Sequence, residues 1–121
     1  MTQKTRCSVP NGVVFIEDIK GAMPPDPFTD EKIQWTSACI AVVCMHEDFG
    51  QTELTLGPVA EVAPGYDSSF EGAIETPSGK LAIINVPGDP ILAAKVPGKT
   101  TAITIWRNHP KWPDQVIIGW G

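Results

Sequence analysis

Prolines and glycines recur between short apolar runs along the whole chain, and this spacing limits the choice of fold. The 121 residues include 12 prolines and 11 glycines. The links "PSG", "PGDP" and "PGK" have the composition of tight turns. Between such links lie about eight apolar runs, among them "GVVFIEDI" and "ACIAVVCM". This pattern predicts an all-β fold, an antiparallel β-sandwich of about eight short strands in a single domain spanning residues 1–121.

One segment departs from the strand pattern. In "PPDPFTDEKIQWTSA", Thr29 suits a helix N-cap, and the acids that follow it suit the first turn because the helix dipole favours negative charge there. The two-residue spacing of Ile33 and Trp35 does not fit a longer helix. The segment therefore predicts one short helix near residues 29–36.

The cysteines indicate a reducing compartment and no metal site. An odd count of three would be unusual in a secreted disulfide framework. Side chains alternate along a strand, so Cys39 and Cys44 point to opposite faces and can neither bridge nor share a zinc ion. His46, on the side of Cys44, is at best half a site. We therefore expect buried thiols, no metal and no cofactor.

The distribution of apolar residues indicates where in the cell the protein is located. The first segment, "MTQKTRCSVPNG", lacks the apolar stretch of a secretion signal. No run approaches the length of about 18 apolar residues that a membrane span needs. The sequence thus predicts a cytoplasmic protein that does not enter the membrane.

The net charge of −5 narrows the choice of partner. Residues 1–75 hold 12 acids and 4 bases, a net of −8, whereas residues 76–121 hold 2 acids and 5 bases, a net of +3. Binding to nucleic acid is disfavoured because its affinity comes from lysine and arginine at phosphates. An acidic surface suits a partner with a basic surface, and it also serves solubility alone.

The tail "TIWRNHPKWPDQVIIGWG" holds three of the four tryptophans. Its two apolar runs alternate as strands and predict a hairpin. In that hairpin Trp106 and Trp120 act as cross-strand packing groups.

The loop of this hairpin is the first candidate contact site. It carries Arg107, His109, Lys111 and Trp112, and two prolines stiffen it. Arginine and tryptophan are frequent interface anchors, and a stiff loop loses little entropy on binding. A purely structural role, in which Trp112 folds back over the end of the sandwich, is equally compatible with the pattern.

A second candidate contact site is the acidic group in "HEDFG", namely Glu47 and Asp48. It follows the most apolar predicted strand. Such a group could contact a basic partner, although charged residues at the end of a strand are ordinary.

Catalytic motifs are absent from the sequence. Only His46 and His109 could act as histidine bases, and no nucleophile elbow, phosphate-binding loop or dinucleotide fingerprint accompanies them. The sequence therefore favours a protein that is not an enzyme.

The order of features resembles the competence protein J family of small β-sandwich nuclease inhibitors. The similarity lies in "PPDPFTDEKI" after a first strand, then "FEGAIETPSGKLAIINV", and finally "ILAAKVPGKTTAITIW". The resemblance implies a cytosolic, non-enzymatic protein whose negative surface mimics the phosphates of a nuclease substrate. It assigns no individual functional residue.

Three classes of function follow from these observations. The first is an inhibitor or immunity-type protein that binds a basic partner such as a nuclease. The second is a β-sandwich that binds a small ligand such as a carbohydrate, with Trp112 or Trp35 stacked on a sugar ring. The third is a structural module that assembles with copies of itself through edge strands.

Overall fold

The computed structural model describes residues 1–25, 33–86 and 88–121, which form two five-stranded sheets. The ten strands are β1 (Gln3–Cys7), β2 (Val13–Asp18), β3 (Ile33–Trp35), β4 (Cys39–Val43), β5 (Thr52–Pro58), β6 (Phe70–Glu75), β7 (Lys80–Asn85), β8 (Pro90–Lys95), β9 (Thr100–Arg107) and β10 (Gln115–Trp120). Sheet A has the order β1–β5–β10–β9–β6, and sheet B has the order β3–β4–β2–β7–β8. A short helix, α1, spans Val59–Val62.

The two sheets share one buried core. Leu54 and Ile103 from sheet A belong to the same buried cluster as Ile16 and Ile40 from sheet B. This arrangement confirms the predicted all-β sandwich. The strands number ten in the described part of the chain, compared with about eight predicted. All of the described strand pairs but one are antiparallel, the exception being β5 with β10.

The prediction of a short helix near residues 29–36 is wrong in its second half. Residues 29–32 lie outside the described part of the chain. Ile33–Trp35 form the edge strand β3, which pairs with β4. The two-residue spacing of Ile33 and Trp35 suits a strand, where it places both side chains on one face. The described α-helix follows β5 instead, where Pro58 ends the strand.

The most apolar predicted strand is β4, an interior strand buried on both faces. Ile40 and Val42 face the core between the sheets, and Cys39 and Ala41 are buried on the opposite face of sheet B. Cys44, just beyond the strand, lies in the core, so the prediction that the two cysteines point apart is confirmed. Burial raises the pKa of each of these two thiols to about 12.

The predicted hairpin of the tail is confirmed by the antiparallel pairing of β9 with β10. Its two tryptophans lie on opposite faces of sheet A. Trp120 packs against the main core. Trp106 packs with Val62 of α1 on the outer face. A Cβ at Gly119 would lie 3.1 Å from the Trp106 ring, so glycine there lets the indole and α1 lie close to the sheet.

No helix in residues 1–25, 33–86 and 88–121 is long and apolar enough to cross a membrane.

The Asp18 carboxylate, buried at the end of β2, organises the turn between β6 and β7. Its Oδ1 accepts hydrogen bonds from the backbone N–H of Ser78 at 3.0 Å and from the Ser78 hydroxyl at 2.7 Å, while Oδ2 accepts from the Lys20 N–H at 3.1 Å. Burial opposes ionisation, but these hydrogen bonds outweigh it and hold the pKa of Asp18 below its ordinary value.

Replacing Asp18 with alanine is expected to lower the free energy of unfolding by about 3 kcal/mol at neutral pH, because three donors lose a charged acceptor. The folded-state pKa lies below the unfolded one. The stabilisation by the ionised Asp18 carboxylate is therefore fully present at pH values above the ordinary pKa of aspartate. It disappears as the pH falls through the folded-state pKa. Urea unfolding at several pH values measures this change. Asp18→Asn, which keeps an acceptor, is the milder control, and a loss that does not depend on pH would contradict the assignment.

The pKa of the neighbouring Glu17 is shifted in the opposite direction from that of Asp18. Its side chain points to the outer face of sheet B, 6% exposed, and its Oε2 has no hydrogen-bond partner among the described residues. Burial raises its pKa and the charge of Asp18 adds to this effect, while a hydrogen bond from the Ala22 backbone opposes it.

The variant Glu17→Gln is expected to gain stability relative to the parent as the pH rises. A carboxyl group with a raised folded-state pKa costs folding free energy once the unfolded chain ionises, which begins near its ordinary pKa. The difference in unfolding free energy between the two proteins should therefore grow by about 1 kcal/mol between acidic and neutral pH. Thermal or urea unfolding of both proteins across this range checks it, and parallel stability curves would exclude it.

Candidate functional site: the loop end of the sandwich

Three connections meet at one end of the sandwich, and together they form what we call the loop end: residues 8–12, 44–51 and 108–114. Backbone hydrogen bonds tie them together. The Cys44 N–H donates to the Gly12 carbonyl at 2.8 Å, and the Met45 N–H donates to the Pro113 carbonyl at 2.9 Å. The loop end is therefore one connected surface.

The parallel pairing of β5 with β10 explains why these connections meet. Two parallel strands begin at the same end of a sheet, so the segments leading into them also lie at that end. Residues 44–51 lead into β5 and residues 108–114 lead into β10. The acidic group after β4 and the tryptophan loop, separate candidates in the sequence, thus belong to one site.

Exposed aromatic rings mark the centre of the loop end. Phe49 is 74% exposed and Trp112 is 51% exposed. Their ring centroids are 6.4 Å apart with the planes tilted by 53°, and the His46 ring lies edge-on at 6.4 Å from Phe49. Trp112 is therefore about half exposed, and it forms an aromatic group with Phe49.

A hollow of about 300 Å³ opens beside this group, lined by Met45, Phe49 and Trp112. A smaller hollow of about 160 Å³ is also lined by Trp112, together with residues that include Cys44 and His46. Trp112 thus borders both hollows. The larger one is apolar, with a thioether and two rings as its walls.

Both histidines organise turns. Nδ1 of His109 accepts hydrogen bonds from the backbone N–H of Lys111 at 3.1 Å and of Trp112 at 2.9 Å. Nδ1 of His46 accepts from the Asp48 N–H at 3.1 Å. In each case the imidazole stabilises the backbone that carries a neighbouring candidate contact residue.

The charged candidates fall into two groups. Glu47, Asp48 and Lys111 are exposed around the aromatic group. Arg107 lies beneath the loop, because its place in β9 directs its side chain inward, and its Nε and Nη1 are buried without an acceptor among the described residues. Burial lowers the pKa of Arg107, and the nearby Cys44 opposes that shift. The structure therefore separates Arg107 from the exposed surface that holds the other five predicted contact residues.

The sequence interpretation missed two residues of this site, Met45 and Phe49. Phe49 lies within the "HEDFG" segment that was selected for its carboxylates alone, and Met45 carried no signal. A sequence-based signal for their role would have required knowing that β5 and β10 are parallel neighbours. In residues 1–25, 33–86 and 88–121, no three histidine, cysteine, aspartate or glutamate side chains are grouped so that they could hold a metal ion.

Comparisons with known proteins give a match in structure alone. No protein-family model matches the chain, and no curated protein matches its sequence. The solved structure of ComJ from Bacillus subtilis, an inhibitor of the DNA-degrading activity of NucA, aligns with a TM-score of 0.71 over 98% of this chain and 93% of that chain. The chain has a ComJ-like fold. The sequence identity is 11%, so the resemblance to the competence protein J family is confirmed for the fold.

A second solved structure, described as crocagin biosynthetic gene J, aligns over 98% of this chain and 94% of that chain. Its TM-score is 0.49 and its sequence identity is 10%.

Replacing His109 with alanine is expected to loosen residues 108–114, because two backbone N–H groups lose their acceptor. The unfolding free energy should fall by about 1 kcal/mol. Amide hydrogen exchange at Lys111 and Trp112 should accelerate, and this is the direct measurement. His109→Asn retains a short side-chain acceptor and should restore much of the protection. Unchanged exchange in the alanine variant would show that the two prolines alone hold the loop.

Proposed function

We propose that this protein is a non-enzymatic inhibitor that binds a protein partner with a basic surface, such as a nuclease, through the loop end. The observation that carries the proposal is the exposed Phe49–Trp112 pair beside an apolar hollow. Large aromatic side chains left in water at a connected, hydrogen-bonded surface are typical of binding anchors.

The charges around the aromatic pair support a basic partner. Glu47 and Asp48 are exposed next to Phe49, on the same turn. Carboxylates at the rim of an apolar contact steer an oppositely charged protein and set its orientation. The aromatic rings, once the partner covers them, supply most of the affinity. The partner should therefore combine an apolar projection for the hollow with lysine or arginine around it.

The similarity to ComJ supports inhibition as the consequence of binding. ComJ is an inhibitor of the DNA-degrading activity of NucA, and its fold extends over nearly the whole of this chain. A protein that blocks a nuclease needs shape and charge complementarity and no chemistry of its own. The loop end contributes an apolar hollow and a carboxylate rim to such a contact.

Carbohydrate binding is the second candidate, favoured by the same exposed Trp112, whose ring could stack on a sugar. Stacking on a neutral sugar responds little to salt. Binding of a basic protein at a carboxylate rim weakens as ionic strength rises. Salt dependence therefore separates the two functions.

The test is inhibition of DNA cleavage by purified nucleases of the native host, each assayed with a fluorescent duplex and increasing amounts of the protein. We expect saturable inhibition of a nuclease with a basic surface, weakening as salt rises from about 0.05 M to about 0.5 M. Trp112→Ala should raise the inhibition constant at least about tenfold, as expected for an interface anchor. Glu47→Gln together with Asp48→Asn should reduce the salt dependence.

The matched control uses a side chain away from the loop end. Glu61→Gln removes an exposed carboxylate on α1, which follows the opposite end of β5. This variant should not change the inhibition constant by more than about twofold. Failure to inhibit any host nuclease, combined with salt-independent retention on a glycan array, would replace this proposal with the carbohydrate one.

A further inference from the structure

One of the two edge strands of sheet A, β6, has backbone groups directed away from the sheet. Among the described strands it pairs only with β9. Just past the strand, the Thr76 N–H donates to the Lys99 carbonyl on the β9 side at 2.8 Å, while the Glu75 N–H donates in the other direction, to Ser37 at 2.8 Å. Because the direction alternates along a strand, the N–H and C=O groups of Glu71 and Ala73 also point away from β9.

The two sides of the sandwich differ in how far their edges are covered. On one side, the Gln3 side chain of β1 donates to the Ala93 carbonyl of β8, which links the two edge strands. On the other side, Ser37 covers only the end of β6. In the described part of the chain, Glu71 and Ala73 have no partner for their outward backbone groups. Within residues 1–25, 33–86 and 88–121, this stretch of β6 is therefore an uncovered sheet edge.

The side chains around this edge are an aromatic anchor and two carboxylates. Trp35 of β3, 61% exposed, lies edge-on against Phe70 with ring centroids 5.0 Å apart. Glu71 and Glu75 are exposed on the outer face of β6, one on each side of Ala73. The edge therefore offers backbone hydrogen bonds in the middle, negative charge on one face and an exposed indole on the other.

A second copy of β6 does not suit this edge. If two copies paired antiparallel about Ala73, Glu71 of each would face Glu75 of the other, and directly opposed like charges destabilise a strand pair. The same carboxylates would pair favourably with lysine or arginine at alternate positions of an incoming strand. The charge on the edge thus selects a basic strand over another copy of this chain.

We infer that β6 is a docking edge for an extended basic segment of a partner protein, which adds to sheet A as a sixth strand. The segment hydrogen-bonds to the backbone of Glu71 and Ala73. Its basic side chains lie beside Glu71 and Glu75, and its alternate apolar side chains face Trp35 and Phe70. This contact surface lies apart from the residues assigned to the loop end, so it does not depend on the proposed function.

The experiment uses a synthetic peptide of about nine residues that alternates lysine with valine or threonine, long enough to cover β6. It is added to the ¹⁵N-labelled protein. We expect amide shifts centred on Glu71 and Ala73 and a shift of the Trp35 indole signal. The same peptide with alternate backbone amides methylated should bind at least about tenfold more weakly, since strand addition depends on those hydrogen bonds.

Ala73→Pro is the decisive variant. Its lost N–H faces away from β9, and edge strands tolerate proline at such positions, so the fold should persist. Peptide binding should weaken at least about tenfold. Should this variant fail to fold, as judged by circular dichroism, the methylated peptide still decides the question on the parent protein.

Charge reversal provides the second comparison. Glu71→Lys with Glu75→Lys should abolish the shifts, whereas Asp89→Lys, an exposed reversal in the turn before β8, should leave the dissociation constant within about twofold. Three results of the peptide experiment would overturn the inference. They are the absence of shifts at millimolar peptide, shifts confined to the loop end or β8, and equal binding of the methylated peptide. Self-association through β6, seen by sedimentation, would assign the edge to a second copy instead.

Discussion

The parallel pairing of β5 with β10 is the contact on which the arrangement of this sandwich depends. It places β10 in the middle of sheet A, between β5 and β9, so that β10 joins the two halves of this sheet. It also sets the two segments that precede these strands side by side. The loop end, with its aromatic pair and its carboxylates, is a direct result of that topology.

Much of the fold could be predicted because turn chemistry and alternation are local signals. The hairpin of β9 and β10 and the doubly buried β4 follow from residues within a few positions of one another. The parallel pair could not be predicted, because the residues of Thr52–Pro58 carry no local signal for pairing with Gln115–Trp120. The helix expected near residues 29–36 was wrong over Ile33–Trp35, because pairing with β4 sets the conformation of these three residues.

The candidate site shows the same division. Trp112 and the carboxylates at Glu47 and Asp48 could be selected individually by residue type. Their meeting, and the contribution of Phe49, depends on strand order and is visible only in the folded chain. Arg107 illustrates the converse: its type suggests an exposed anchor, but its position in β9 directs the guanidinium inward, where the alternation of the strand outweighs the preference of a charged group for water.

The two deeply buried thiols have a consequence for the environments in which this fold can operate. At a pKa of about 12, Cys39 and Cys44 hold almost no thiolate at neutral pH, and thiolate is the form that oxidants and alkylating reagents attack. They lie on opposite faces of sheet B, so they cannot form a bond with each other. The packing around these two sulfurs therefore does not depend on whether the surrounding glutathione is reduced or oxidised, whereas the half-buried Cys7 is the more accessible thiol.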